Sequence, residues 1–245
     1  MELKVYKDYT DLSRHAADEI FALVKNKPDA VVCLASGDSP RLTCQLLVER
    51  AINEKVNLSQ FTFIGLDEWV GIPPENEGSC RFFFESLVVK PLHLLPGQVY
   101  FFNALSENPA RDCEAMDKVI VEKGGIDLII VGIGMNGHIG FNEPGVSFDN
   151  YSHVIDLDES TITVGQKYFK GPVKLKQGIT LGLKHFMESK KAIVMANGRK
   201  KAEVIRRALN EKINNQFPAT IIQKHTQGVV MIDEEAASLL EKETN

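Results

Sequence analysis

The 245-residue chain is poor in several residue types, and each shortage argues against a class of protein. It has four cysteines, none in a CxxC pair, and no apolar run that approaches membrane-spanning length. Lys and Arg number 28 against 33 Asp and Glu, and a net charge of −5 disfavours a general nucleic-acid binder, whose surface is basic. Residues 1–19 lack the apolar stretch of a signal peptide. We therefore expect a cytoplasmic protein with reduced thiols, no zinc site, and neither a membrane nor a nucleic-acid partner.

Short apolar segments alternate with helical patterns along the chain, and 44% of its residues are hydrophobic. The predicted strands are Leu3–Tyr6, Ala30–Ala35, Phe61–Leu66, Val99–Phe102, Ile126–Val131, His153–Leu157, Ile179–Leu183, Ala192–Ala196, Ala219–Gln223 and Val229–Ile232. The predicted helices are Asp11–Lys25, 40–54, Arg81–Val89, Pro109–Glu122, 200–210 and a short one at the C-terminus. This alternation predicts an α/β protein: a single domain over residues 1–245 whose mostly parallel, doubly wound sheet has helices on both faces.

The central feature of the sequence is GGIDLIIVGIGMNGHIGFNEPG at Gly124–Gly145. A buried strand is followed by a loop in which four glycines alternate with Asn136, His138, Asn142 and Glu143. Ligands of open α/β sheets bind beyond the carboxyl ends of the strands, and glycines there let backbone approach a ligand closely. A solvated turn would need only one or two glycines. We therefore interpret the loop as part of a site with an imidazole and a carboxylate.

Two further loops could hold an anion. Ser36–Pro40 (SGDSP) joins a strand to a helix, where backbone amides, the hydroxyls of Ser36 and Ser39 and the helix dipole could bind phosphate. Ser39 is the expected N-cap and Pro40 the first helical residue. Asp38 conflicts with this role unless its carboxylate points away. At Gly198–Lys201 (GRKK) three cations stand at the start of a helix, where the positive end of the helix dipole disfavours them. Binding of a phosphate would explain their presence better. The alternative is an ordinary strand-to-helix loop at Ser36–Pro40 and a solvated cationic turn at Gly198–Lys201.

Two acids, Asp67 and Glu68, follow the strand Phe61–Leu66. A helix N-cap or a solvated loop would explain them equally well. A carboxylate at a strand end, in a site shared with an imidazole, could also act as a base toward a carbon-bound proton.

Several motifs together resemble the hexosamine-6-phosphate deaminases, also called glucosamine-6-phosphate isomerases. They are IGLDEWVGI at 64–72, GIGMNGHIGFNEPG at 132–145, the SGDSP loop, GITLGL at 178–183 and FPATIIQKH at 217–225. The resemblance implies a modified Rossmann-like sheet, and conversion of an aldose 2-amino-6-phosphate to the ketose 6-phosphate with release of ammonia. It implies that no metal or organic cofactor is needed and that the small-molecule partner is a sugar phosphate. It is also compatible with a homo-oligomer.

Residue roles follow from the same resemblance. Asp67 would move the C2 proton to C1, and His138 would open the pyranose ring, flanked by Glu143 and by Asn136, where many members have aspartate. The implied phosphate ligands are Ser36, Gly37, Ser39, Lys201 and, at the position of a family arginine, Lys167. Lys167 lies in the polar segment 158–176, which would act as a lid.

Two alternatives and two finer predictions complete the sequence analysis. A 6-phosphogluconolactonase shares the fold, but FNEP and DEW fit it badly. A non-catalytic sugar-phosphate sensor would lack the Asp, His and Glu set. LDEW at 66–69, KPDAVVCL at 27–34 and GITLGLK at 178–184 resemble the galactosamine-6-phosphate branch more than the glucosamine branch, which usually has DEY in place of DEW. This resemblance implies that galactosamine 6-phosphate is the better substrate. Longer hexameric relatives bind an N-acetylglucosamine 6-phosphate activator through cations after FNEP, whereas residues 146–156 offer only His153, so we expect no such activation.

Overall fold

A parallel seven-stranded sheet forms the centre of the computed structural model, which describes residues 1–240. Its spatial order is β1-β10-β9-β6-β2-β3-β5. The strands are β1 Glu2–Tyr6, β2 Val31–Leu34, β3 Thr62–Gly65, β4 Asp67–Trp69, β5 Val99–Tyr100, β6 Leu128–Gly132, β7 His153–Asp156, β8 Gln177–Thr180, β9 Lys191–Ala196 and β10 Gly228–Asp233. The α-helices are α1 Tyr9–Asn26, α2 Asp38–Asn53, α3 Cys80–Phe84, α4 Pro109–Glu122, α5 Glu159–Gly165, α6 Leu183–Glu188 and α7 Ala202–Asn210.

The central strands bury both of their faces. In β6, Leu128 and Ile130 pack into one core with α1 and α2, while Ile129 and Val131 pack into the opposite core with α4, α6 and α7. Successive side chains of a strand point to opposite faces, so a continuous apolar run is what a doubly covered parallel sheet requires. The predicted mostly parallel α/β sheet is confirmed.

A second, three-stranded antiparallel sheet (β4-β8-β7) was not expected. Asp67 pairs with Thr180, and Trp69 pairs with Gly178. The sequence interpretation placed Asp67 and Glu68 at the end of the preceding strand. Instead the chain changes sheets at Leu66, whose backbone N–H donates to Leu34 and whose carbonyl accepts from Leu181.

Three local predictions are wrong. Residues 219–223 are not a strand but lie in the 3-10 helix Pro218–Lys224, where Thr220 Oγ1 donates to the carbonyl of Phe217 at 2.8 Å. Ser39 is not an N-cap: α2 begins at Asp38, and Gly37 precedes it with φ of 114°. Residues 234–239 form turns where a short helix was expected.

The four cysteines, Cys33, Cys44, Cys80 and Cys113, are all buried and unpaired. Within residues 1–240, no helix has the length and hydropathy needed to cross a membrane.

Candidate active site

Four loops meet at the carboxyl edge of the large sheet: those after β2 and β9 lead into helices, and those after β3 and β6 lead into β4 and β7. The loops after β9, β6, β2 and β3 adjoin there because these four strands are neighbours in the sheet. The chain order reverses between β6 and β2, which is the place where open α/β sheets bind ligands. A Cβ added to Gly132 would lie 3.9 Å from Ser39 Oγ, so the loops after β6 and β2 are in close contact.

Asp67 holds its carboxylate in an unusual environment. Its Oδ1 is buried and, among the described residues, has no hydrogen-bond partner. Burial raises the pKa of Asp67 to about 7, repulsion from Glu68 adds to this, and a contact with the Cys80 thiol acts against it. A carboxylate with an unsatisfied oxygen and a pKa near neutrality is suited to proton transfer.

Glu68, the neighbouring acid, has a structural role. It is 2% exposed, and its carboxylate accepts hydrogen bonds from Ser79 Oγ at 2.7 Å and from the backbone N–H groups of Trp69, Cys80 and Arg81 at 2.8–2.9 Å. Three of these donors lie at the start of α3. The N-cap of α3 is Ser79, so neither acid is the helix N-cap that the sequence suggested, but Glu68 accepts from the first backbone N–H groups of that helix.

His138 and Glu143 form an imidazole–carboxylate pair in the loop after β6. Nδ1 of His138 lies 3.3 Å from Glu143 Oε2 and 3.0 Å from Thr161 Oγ1. Asn136 donates from Nδ2 to Glu143 Oε2 at 2.8 Å, and its Oδ1 accepts from the backbone of His138 at 3.1 Å. Although burial acts to raise it, the pKa of Glu143 is lowered by its contacts with His138, Thr161 and Asn136. An ionised Glu143 fixes the imidazole and would stabilise its protonated form.

Glycines allow the close packing of this loop. The ring of His138 covers Gly134, where an added Cβ would lie 2.4 Å from Nε2. Gly137 has φ of 83°, and a Cβ there would lie 2.6 Å from the ring of Phe217. At Gly140 a Cβ would come within 3.1 Å of Leu66 and 2.7 Å of Thr180. The His138 loop therefore lies directly against the chain segment that leads into Asp67.

Lys201 places a half-buried ammonium at the end of β6. Its Nζ donates a hydrogen bond to the carbonyl of Ile133. Burial lowers the pKa of Lys201 to about 8; the charge of Lys167 adds to this, and that of Asp38 opposes it. The loop that carries it is anchored by Asp233, which accepts from the backbone of Gly198 at 2.9 Å.

The segment predicted as a lid spans both parts of the site. It contains α5 and a 3-10 helix, Gln166–Tyr168. At one end Thr161 contacts His138, and at the other Lys167 Nζ contacts Asp38 Oδ2 at 2.6 Å. The segment thus contacts the His138 loop at one end and the Ser36–Pro40 loop at the other, and Leu66, which precedes Asp67, lies beside the His138 loop. Within residues 1–240, no cluster of His, Cys, Asp and Glu is arranged to hold a metal ion.

Thr161, Cys80 and Tyr168 also belong to the site but were not found in the sequence. Asp158 caps α5 by accepting from Ser160 N at 2.9 Å, so an acid before a Ser-Thr pair was an available signal for a helix here. No sequence pattern indicated that Cys80 contacts Ser36 and Asp67, because α3 is brought to them by tertiary packing.

The family model for glucosamine-6-phosphate isomerases/6-phosphogluconolactonase matches residues 7–231. A glucosamine-6-phosphate deaminase of Clostridium perfringens (strain 13 / Type A) is 36% identical over 241 residues, which cover 98% of this chain and 100% of that protein. A solved monomeric glucosamine-6-phosphate deaminase superposes with a TM-score of 0.94 at 32% identity, covering 98% and 100% of the two chains. The 6-phosphogluconolactonase of Trypanosoma brucei shares the fold, with a TM-score of 0.78 at 18% identity and 98% of each chain covered. The chain therefore belongs to the glucosamine-6-phosphate isomerase/6-phosphogluconolactonase family.

Proposed function

We propose that the protein is an enzyme that converts a hexosamine 6-phosphate to the corresponding ketose 6-phosphate and ammonia, consuming one water. The observation that carries the proposal is a buried, unpartnered carboxylate oxygen on Asp67, next to the loop that holds an imidazole–carboxylate pair. The 36% identity to glucosamine-6-phosphate deaminases supports the same reaction.

His138 acts in ring opening. Opening a pyranose requires that the anomeric hydroxyl lose a proton and that the ring oxygen gain one, and an imidazole can do both near neutral pH. Glu143, held ionised by its hydrogen bonds, stabilises the imidazolium that forms between the two transfers. Asn136 carries no charge, so its contribution is to orient Glu143 and the backbone of His138.

Asp67 acts in isomerisation. Its carboxylate takes the proton from C2 of the open-chain sugar and returns it to C1, which converts the 2-amino aldehyde to a 2-imino ketose. Water then adds at C2 and ammonia leaves. Among the described residues no donor satisfies the buried oxygen Oδ1, so its capacity to accept a proton is unused.

The 6-phosphate binds between Ser36–Ser39 and the two lysines, Lys167 and Lys201. The backbone of Gly37 and the hydroxyls of Ser36 and Ser39 supply hydrogen-bond donors at the start of α2, where the helix dipole also favours an anion. Lys201 is already fixed at the end of β6 by its hydrogen bond to Ile133.

Galactosamine 6-phosphate as the better substrate is a prediction that depends on the sequence resemblance. Trp69 is buried, its ring centroid lies 4.5 Å from that of Phe141, and a Cβ on Gly165 would lie 2.7 Å from it. These contacts assign a packing role to Trp69. A site that hydrogen-bonds one orientation of the C4 hydroxyl disfavours the other, because buried polar groups are left unpaired.

The test is to incubate the purified protein with glucosamine 6-phosphate and, separately, galactosamine 6-phosphate, and to measure ammonia and ketose 6-phosphate. We expect turnover of at least one epimer, with a higher kcat/KM for the galacto sugar. A clear preference for the gluco sugar would overturn the epimer prediction alone. Absence of ammonia from both sugars, together with hydrolysis of 6-phosphogluconolactone, would overturn the proposed function.

Cellular location, domain organisation and oligomeric state are also part of this proposal. We place the protein in the cytoplasm, where reduced thiols such as the four buried cysteines persist. We treat residues 1–245 as a single domain. Its assembly into a homo-oligomer stays a prediction, and the similar solved deaminase is a monomer.

A further inference from the structure

An acid occupies the position where the phosphate is expected to be held. Asp38 is the first residue of α2 and directly follows Gly37. Its Oδ2 lies 2.6 Å from Lys167 Nζ, and both side chains are largely exposed, at 65% and 50%. Exposed ion pairs contribute little to the stability of a fold. This pair nevertheless connects two segments that are 129 residues apart, and both are phosphate-binding segments in the proposed function.

The neighbouring residues show that the contact is not an isolated surface pair. Tyr168 follows Lys167, and its ring lies 4.9 Å from the ammonium. A Cβ on Gly37 would lie 3.2 Å from Tyr168 Oη, so the lid rests on the loop at the residue before Asp38. Tyr9 Oη donates to the Asp38 carbonyl at 2.7 Å and accepts from Leu42 N at 3.2 Å, which braces the first turn of α2.

The local charges favour an exchange of anions. The Lys201 ammonium is influenced by both Lys167 and Asp38, so the three groups lie within range of one another. Two cations and one carboxylate leave a net charge of about +1 where a phosphate dianion requires two cations. If Asp38 kept Lys167, the dianion would meet one available cation and a repelling carboxylate.

We propose that Asp38 is an internal substitute for the substrate phosphate: it holds Lys167 over the phosphate loop in the free enzyme and is displaced when the phosphate binds. The inference rests on the proposed function for the identity of the phosphate. Asp38 is thus a positioning residue, which keeps the lid lysine ordered at the cost of affinity for any anion. Its removal should therefore tighten anion binding.

The test measures the Kd of inorganic phosphate and of glucose 6-phosphate at low salt for wild type and Asp38→Asn. We expect Asp38→Asn to bind both ligands about two- to fivefold more tightly, the range of exposed ion pairs. Unphosphorylated glucose should show no such gain. Glu77→Gln is the matched control, because Glu77 is likewise an exposed acid paired with a lysine of the lid, Lys170, at 2.7 Å. It should leave both Kd values unchanged.

A double variant separates exchange from simple repulsion. When Lys167→Met removes the cation for which the two anions compete, the gain from Asp38→Asn should fall to less than half. An equal gain in both backgrounds, or unchanged or weaker binding in Asp38→Asn alone, would overturn the proposal. These measurements require no turnover, so they remain decisive even if neither hexosamine 6-phosphate is a substrate.

Discussion

Asp67 and Glu68 are adjacent acids with opposite environments. Four donors satisfy the carboxylate of Glu68, whereas one oxygen of Asp67 is buried with none among the described residues. A buried polar atom without a partner is costly, and such atoms occur where function requires them. The contrast shows a structural role for Glu68 and supports the catalytic role that we propose for Asp67.

Replacing Asp67 by Asn should remove activity and keep binding. A neutral amide cannot take the C2 proton, and loss of a general base lowers kcat by about 100-fold or more. We expect ammonia release to fall by at least this factor, while the Kd for the sugar phosphate changes little. Substantial turnover in Asp67→Asn would show that the base lies elsewhere.

The pKa of Asp67 also predicts a pH dependence. Because burial raises it to about 7, the carboxyl is protonated and inactive as a base below that pH. The profile of kcat/KM should therefore have an acidic limb near pH 7. The ionised form is the one that burial disfavours, so Asp67→Asn should raise Tm more at pH 8 than at pH 5. A Tm difference independent of pH would contradict the raised pKa.

His138→Gln should slow ring opening selectively. The amide keeps a polar side chain but cannot carry the proton, so turnover of the cyclic sugar should fall by about 100-fold or more. An open-chain analogue should recover most of the activity. Glu143→Gln should show the same recovery, because Glu143 acts through the imidazole 3.3 Å away. An equal loss on cyclic and open-chain substrates would contradict the role in ring opening.

At the scale of elements, the short helix α3 depends on an acid outside it. Ser79 is its N-cap, accepting from Phe82 N at 3.2 Å, and Glu68 satisfies the first backbone N–H groups. α3 continues as a π-helix, Glu85–Val89, and the two together are still shorter than a helix that is stable alone in water. The position of α3, and of the Cys80 thiol beside Asp67, is therefore set by β4.

Glu68→Gln should destabilise the protein by about 1–3 kcal/mol, because its amide nitrogen would face backbone donors in a buried site. Urea unfolding measures this. Glu85→Gln is the control, since within residues 1–240 the Glu85 carboxylate pairs with Arg81 alone, at 3.4 Å, and its loss should change stability by less than about 0.5 kcal/mol. Equal stability of both variants would show that Glu68 does not hold α3.

Element prediction succeeded where local and tertiary preferences agree. Pro109–Glu122 is a helix with the predicted bounds, with Asn108 as N-cap and a proline in its first turn. It failed at 219–223, where an apolar run suggested a strand. Pro218 begins a 3-10 helix there. The Thr220 hydroxyl accepts from the backbone N–H of Asn214 and donates to its carbonyl, and Asn214 Oδ1 accepts from the backbone N–H of Phe217.

At the scale of the whole molecule, we expect hyperbolic kinetics with no activation by N-acetylglucosamine 6-phosphate. Residues 146–156 contain no lysine or arginine, and His153 Nδ1 lies 2.9 Å from the carbonyl of Tyr151. Burial lowers the pKa of His153, which makes it a poor anion ligand. Initial rates measured with and without the N-acetyl sugar check this. Sigmoidal kinetics that become hyperbolic in its presence would contradict it.

The sequence by itself determined the parallel sheet and the loops that carry the chemistry, because a doubly buried strand must be apolar throughout and a crowded loop must contain glycine. The family resemblance implied Asp67 as the base, but only the tertiary structure showed how the environments of Asp67 and Glu68 differ. The backbone of α3 and its N-cap donate to Glu68, whereas one oxygen of Asp67 is buried without a donor among the described residues. The pairing of Asp38 with Lys167 across 129 residues was likewise decided by the fold, because no local pattern relates two surface charges so far apart in the chain.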